Sequence, residues 1–302
     1  MAFTAKDVQA LREKTGCGMM DCKKSLTDSG GDMDKAMQIL REKGLAAAAK
    51  KAGRIAADGL VVSVINKDKK IGVVLEVNSE TDFVAKNKDF VAFVNAVANT
   101  VIDSDPTDVD ELLAMKLSGS DDTVEQALQE KILKIGENIK VRRFERLEGE
   151  LASYVHGNGA IGVMVKFNTD LTAEGAFEAY GKDVAMQIAA ANPQFVTKDE
   201  VPAETLESEK NILLTQAVNE GKPENIAQKM VQGRISKYFK EFCLVDQAFV
   251  KDANLSVKQY TDNTAKELGG SIEIIKFVRF EKGEGLEKRE DNFADEVAGM
   301  IK

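Results

Sequence analysis

The chain has 302 residues, 43% of them hydrophobic and 30% charged, the proportions of a soluble globular protein rather than a disordered or fibrous one. Its formal net charge of −9 argues against nucleic acid as the main partner, because phosphate binding is carried by Lys and Arg. The longest apolar runs fall far short of the roughly 18 residues that a membrane span needs, and the length exceeds what one ordinary core fills, so two or three domains are expected. The opening MAFTAKDVQALREKTG is amphipathic and charged, without the apolar stretch of a secretory signal. Cys17, Cys22 and Cys243 are odd in number, scattered and free of any C-x-x-C spacing, which reads as reduced thiols in a cytoplasm.

Residues 1–54 read as helices only. Thr4 is placed to cap KDVQALREKTG, MMDCKKSLTDS gives a second helix broken at Gly30-Gly31, and Asp32 opens a third with Met33, Met37 and Leu40 at helical spacing. Three short helices make a small bundle, better suited to docking than to catalysis. The boundary falls in LAAAAKKAGRIAAD, which has little to bury.

The remainder is internally duplicated. GLVVSVINKDKKIGVVLEVNSETDF (59–83) aligns with ELASYVHGNGAIGVMVKFNTDLT (150–172), Ile71-Gly72-Val73 falling on Ile161-Gly162-Val163. Each copy alternates as a β-hairpin, is followed by an apolar helical run (88–101 and 181–192), and closes on a similar strand, KVRRFERLEGE or KFVRFEKGEG. Helices on one face of small antiparallel sheets satisfy both periodicities, so the fold class is α+β. The resulting division is a helical domain at 1–54, a first half at 55–149, a second half at 150–286 and a last amphipathic helix at 287–302. The second half carries an inserted helical hairpin at about 201–242, with Gly221 suited to end its first helix and Pro223 to the first turn of its second. Leu206, Leu213, Ile226 and Met230 are its apolar members, placed to pair the two helices or to serve a partner.

Few residues carry candidate chemistry. HGNGAIG (156–162) contains a literal G-x-G-x-x-G, but a strand follows it where dinucleotide binding needs a helix N-terminus, so it reads as a hairpin turn. His156 is the only histidine, with no Ser- or Cys-centred motif near it and no companion ligands at zinc spacing; a place at a hairpin end or an interface suits it better than catalysis. Thr81-Asp82-Phe83-Val84 supports two readings. Asp82 could cap the helix running into KNKDFVAFV with Phe83 folded back as a staple, or the pair could be an exposed acid and aromatic anchor for a partner.

TGCGMMDCKKSL (15–26), IGVVLEVNSETDFVAKN (71–87), KIGENIKVRRF (134–144), YVHGNGAIGVMV (154–165) and KPENIAQKMVQGRISKY (222–238) resemble the bacterial elongation factor Ts family, the guanine-nucleotide exchange factors of elongation factor Tu. The likeness runs from the first helices to the last in unbroken order, and the turn GNGA is its loosest part. It implies a ubiquitin-associated-like three-helix domain, two related α+β subdomains, a protruding antiparallel coiled coil and a C-terminal helical module. It implies that Thr81, Asp82, Phe83 and Val84 enter the GTPase domain of elongation factor Tu, Phe83 wedging between helices and Asp82 disturbing the magnesium that bridges the phosphates, so that GDP leaves and GTP rebinds. Lys23, Ile135, Gly136 and His156 would be further partner contacts, Lys23 on the GTPase domain and His156, in the second half, on the side away from the nucleotide. The resemblance implies no cofactor or metal of the chain's own, no direct nucleic-acid or membrane partner, and leaves open self-association through the hairpin or a 2:2 complex. Rival readings are a passive adaptor or chaperone of a GTPase, and an enzyme with a pocket around His156.

Overall fold

The structure, a computed structural model, describes residues 3–15, 17–68, 70–171, 175–221 and 223–287. The helix expected over 287–302 lies outside the described residues, apart from Glu287 itself. Helices α1 (Ala5–Thr15), α2 (Met19–Asp28) and α3 (Met33–Lys51) form the expected bundle around Leu11, Cys22, Leu26 and Ala36. Thr4 is held by Asp7, whose carboxylate accepts from both its N–H and its hydroxyl, and Asp32 caps α3 by accepting from the N–H groups of Asp34 and Lys35. Helix α3 runs on past the bundle.

The first half holds β1 (Asp58–Ile65), β2 (Ile71–Ser79), the single turn α4 (Asp82–Ala85), α5 (Lys88–Ser104), α6 (Val109–Ala114), α7 (Val124–Ile135) and β3 (Lys140–Glu148). The second half holds β4 (Glu150–His156), β5 (Ile161–Thr169), α8 (Ala176–Ala191), α9 (Ala203–Asn219), α10 (Glu224–Phe242), the short β6 (Ala248–Phe249) and β7 (Asp252–Ser256), α11 (Val257–Leu268) and β8 (Ile272–Glu281). The sheets are antiparallel, ordered β1-β2-β3 and β4-β5-β8. Helix α3 lies along α7, where a Cβ on Gly44 would meet Gln129 at ordinary contact distance and Arg41 pairs with Asp122 at 2.6 Å.

The duplication extends to backbone irregularity. The β2–β3 ladder shifts register at Glu76/Val77 and the β5–β8 ladder at Lys166/Phe167, positions related by the same offset that superposes Gly72 on Gly162. The alternating pattern predicts helices on one face of each sheet, and α5 and α8 take those faces, burying Phe90, Phe93 and Val97 in one core and Phe177, Tyr180 and Val184 in the other. The remaining faces pack on each other through Val61, Val74, Leu147, Leu151, Met164 and Val278. This explains why IGVVLEV is apolar at nearly every position: β2 is a central strand covered on both sides.

Two glycines permit that contact, and they are equivalent. A Cβ on Gly72 would overlap Met164 and touch Leu151; one on Gly162 would overlap Val61 and touch Val74. Beside them is a buried charge. Glu76, on the face turned to the second sheet, accepts from Arg142 Nη1 at 3.0 Å, Arg143 Nε at 2.6 Å, Asn78 Nδ2 at 3.0 Å and the N–H of Gly283 at 2.8 Å. Burial alone would raise its pKa, but the bonds from Gly283, Asn78 and Arg143 outweigh it and hold the carboxyl below the usual range. One carboxylate thus joins β2, β3 and the chain just after β8.

The inserted hairpin differs from expectation in detail. Helices α9 and α10 pack chiefly on each other, but the buried seam is Ala217, Ala227 and Ile235, while Ile226 is exposed and Leu206, Leu213 and Met230 are half-buried. Small residues let the helices approach closely, and Arg234 crosses the gap to Gln216 and Glu220. Gly221 adopts the predicted left-handed conformation at φ 77°, and Pro223 is the N-cap of α10, one step earlier than predicted.

Two stability outcomes follow from this packing. Gly162→Ala should cost about 1–3 kcal/mol in denaturant unfolding, and Gly72→Ala less, because branched Val61 is stiff where Met164 can re-route its thioether. Glu76→Gln should lose about 2 kcal/mol at neutral pH by leaving two guanidinium groups without their carboxylate. Since the folded carboxyl titrates below its unfolded value, its contribution is whole above about pH 5 and vanishes as pH falls through the folded value. The gap between parent and variant in urea midpoints should therefore narrow on acidification; a constant gap would show that the charge of Glu76 is not what matters.

Candidate functional site

Where β2 ends, its neighbours end too. The last pair of the β1 ladder is Asp58 with Ser79, and β3 begins opposite Asn78, so the N–H groups of Glu80 and Thr81 have no strand to pair with. Glu137 supplies the acceptors instead. Its Oε2 takes the N–H of Glu80 at 3.0 Å and of Thr81 at 2.9 Å, and its Oε1 takes the Thr81 hydroxyl at 2.6 Å. In return Glu80 accepts from the N–H of Asn138 at 2.6 Å and pairs with Arg54 at 3.4 Å, while Asn138 Nδ2 donates to the Arg54 carbonyl. Gly136 makes the return possible: it ends α7 in the left-handed conformation at φ 87°, turning the chain so that Glu137 faces the β2 exit.

On this base sits the single turn of α4. Val84 is buried in the first-half core, and the N–H of Lys86 closes the turn onto Phe83 and Val84. With Val84 inward, the preceding ring points out, and Phe83 is 77% exposed. Of the two readings left by the pattern, the cap and staple is overturned. Asn87, not Asp82, caps α5, accepting from the N–H groups of Asp89 and Phe90, and Thr81 makes no side-chain cap on α4, its hydroxyl being turned to donate to Glu137. Asp82 is exposed and bonded to Lys86 at 2.7 Å; that bond, with the charges of Lys86 and Lys282, holds its carboxyl below the usual range and keeps it ionised. Lys86 also stands 5.5 Å from the centroid of the Phe83 ring.

The remaining predicted residues fall in three places. Ile135, half-buried against the first-half core, and exposed Gly136 adjoin the β2 exit through Glu137. His156 ends β4 exposed, its Nδ1 3.0 Å from the Tyr154 hydroxyl. The turn after it docks on the edge of β1, where the N–H of Val61 donates to the carbonyl of Gly159, a glycine at φ 90° whose Cβ would overlap Leu60. The N–H of Lys282 donates to Ala160 and its amine to Asp58, and its charge acts on Asp82, so His156 and residues 81–84 lie at the same end of the two sheets. Lys23 is separate, exposed on α2 beside exposed Met19 and Met20, and linked to the rest through α3 and α7. A cleft of about 640 Å³ between the bundle and α7, lined by Lys14, Arg41, Asp122, Gln126 and Glu130 among others, includes neither His156 nor residues 81–84.

Glu137, Glu80, Arg54 and Asn138 are absent from the residues that sequence reasoning singles out. Three of them stand inside or beside motifs it does single out, SETDFVAKN and KIGENIK, but nothing local shows that these two stretches meet.

The family model described as Elongation factor TS matches residues 80–284. The chain is 56% identical over 301 residues to Elongation factor Ts of Clostridium perfringens (strain SM101 / Type A), covering 99% of each chain. It is 52% identical over 302 residues to Elongation factor Ts of Clostridium botulinum (strain Eklund 17B / Type B), again covering 99% of each. Elongation factor Ts of Clostridium novyi (strain NT) is 53% identical over 298 residues, 97% of each chain. Matched by the family model over most of its length and by these relatives nearly end to end, the chain belongs to the elongation factor Ts family.

Proposed function

We propose that this chain is a cytoplasmic guanine-nucleotide exchange factor for elongation factor Tu. It binds the GDP form, inserts residues 81–84 next to the nucleotide, and loosens GDP by disturbing its magnesium, so that GTP can rebind. The observation that carries this reading is the 77% exposed ring of Phe83 next to the ionised carboxylate of Asp82, on a loop held to Glu137 by two backbone N–H groups and the Thr81 hydroxyl. A large ring held out from a fixed loop is the form of an interface anchor. The Asp82–Lys86 pair is exposed and therefore weak, so the carboxylate can exchange its lysine for a cation site on a partner at little cost. Magnesium neutralises the phosphates it bridges, and a competing carboxylate beside it weakens nucleotide binding without any covalent step.

In the same reading the bundle at 1–54 docks through the α2 surface around Lys23, the first half at 55–149 carries the wedge with Ile135 and Gly136 next to it, and the second half at 150–286 gives a second contact that includes His156. Coupling is reciprocal: the factor loosens GDP only as far as GDP loosens the factor, and GTP completes the cycle by displacing it.

In a fluorescent-GDP release assay with elongation factor Tu, Phe83→Ala and Asp82→Ala should each slow release at saturating factor by about tenfold or more, with a smaller change in the half-saturating concentration. Full-rate release by both variants would leave only a passive adaptor. Titration calorimetry of the chain alone with GDP should show no stoichiometric site, whereas a saturable one-to-one isotherm would place nucleotide binding in this protein instead.

A further inference from the structure

We infer that Glu137 is the positioning residue for the Asp82–Phe83 pair, standing in for the strand that the sheet lacks at the end of β2; the inference rests on the exchange reading above. With neither β1 nor β3 reaching Glu80 and Thr81, their N–H groups would face water and the exit of β2 would be free to swing. Glu137 takes both of them and the Thr81 hydroxyl on one carboxylate, at 3.0, 2.9 and 2.6 Å. Bonds to an ionised acceptor are about twice as strong as neutral ones, and three converging on one group fix its direction as well as its distance.

The arrangement is mutual. Glu80 reaches back to the N–H of Asn138 at 2.6 Å, so each loop holds the backbone of the other through a carboxylate, and neither can move alone. Arg54, at the junction of bundle and core, joins the same cluster twice, through its guanidinium to Glu80 and its carbonyl to Asn138. The bonds of the clamp go to Glu80, Thr81, Asn138 and Arg54, not to Phe83 or Asp82. It fixes the residues from which α4 starts, with Val84 as the only apolar pin below. An anchor ordered before docking loses less entropy on binding, and a wedge must keep its direction against the resistance of the groups it parts. Glu137 therefore acts through the pair and not on the partner.

The test uses the full chain carrying Glu137→Ala or the gentler Glu137→Gln, which keeps the shape and one acceptor. Backbone amide hydrogen exchange at Glu80 and Thr81, read without any partner, should accelerate about tenfold or more in Glu137→Ala and less in Glu137→Gln. In stimulated GDP release the maximal rate should fall about tenfold in Glu137→Ala while the half-saturating concentration changes less than about threefold. Added to a variant that already carries both Asp82→Ala and Phe83→Ala, the same substitution should slow release less than about twofold further, because the pair it positions is already gone. Unaltered amide exchange, or a loss that simply adds to that of the Asp82→Ala, Phe83→Ala double variant, overturns the positioning role. If Phe83→Ala itself leaves release at full rate, it is the exchange reading that falls, and the amide exchange still decides whether Glu137 holds the loop.

Discussion

The close approach of two small sheets, face to face across Gly72 and Gly162, is the constraint on which the remaining architecture rests. A three-stranded sheet covered by helix on one face leaves its other face to water, and here that face is apolar. Here each half supplies the other's missing layer. The glycines are equivalent positions of the duplicated unit, and each receives side chains from equivalent positions opposite, Met164 and Leu151 on one side and Val74 and Val61 on the other. The contact therefore reads as the trace of a symmetric pairing between two copies. Glu76 breaks the symmetry: its counterpart is half-buried Lys166, and only the first half places a carboxylate where two arginines and the chain after β8 converge.

That rigid pair of sheets gives the β2 exit a direction. The end of β1, the β4–β5 turn and the chain after β8 meet there through Val61, Gly159, Ala160 and Lys282. A loop on so well-braced an edge can hold an aromatic ring in solvent without folding it back. Exposure of Phe83 is a liability in the free protein, tolerated because burying the ring would require undoing the clamp at Glu137 or withdrawing Val84 from the core.

Much of this was legible in the chain, and what was not follows a pattern. The hairpins, their offset and the bundle were readable because period-2 and period-3.6 alternation are local signals. The helices α7 and α11 were also open to reading, since each begins with a capping box, TVEQ and SVKQ, whose side chains close on the backbone as that signature requires. The sheet-on-sheet contact had a quieter signal in IGVVLEV, too continuously apolar for a strand with one wet face. The pairing of Glu137 with Thr81 and of Glu76 with Arg142 and Arg143 had none, because a carboxylate that answers a distant loop looks in sequence like any solvated acid. The same blindness explains the two readings of Asp82. A cap is judged from neighbouring residues, and here Asn87, closer to the start of α5, takes the cap that Asp82 was placed to make.

An exchange factor has no bond to break, so its work must come from differential contact energy between nucleotide-bound and nucleotide-free partner. Contacts that hold both states equally add affinity and slow recycling; only those made at the nucleotide's expense speed release. On this chain the residues divide accordingly. In the proposed exchange reading, Lys23 on the bundle and His156 on the second half are contacts that hold, whereas Asp82 and Phe83 are placed to displace. A displacing group is useful only if it yields less than its target does. A ring on a floppy loop would bend aside and leave magnesium and phosphates in place. The three bonds to Glu137, the reciprocal bond to Glu80 and the packing of Val84 brace the loop against such bending, so in the proposed reading the clamp belongs to the mechanism as much as the ring does.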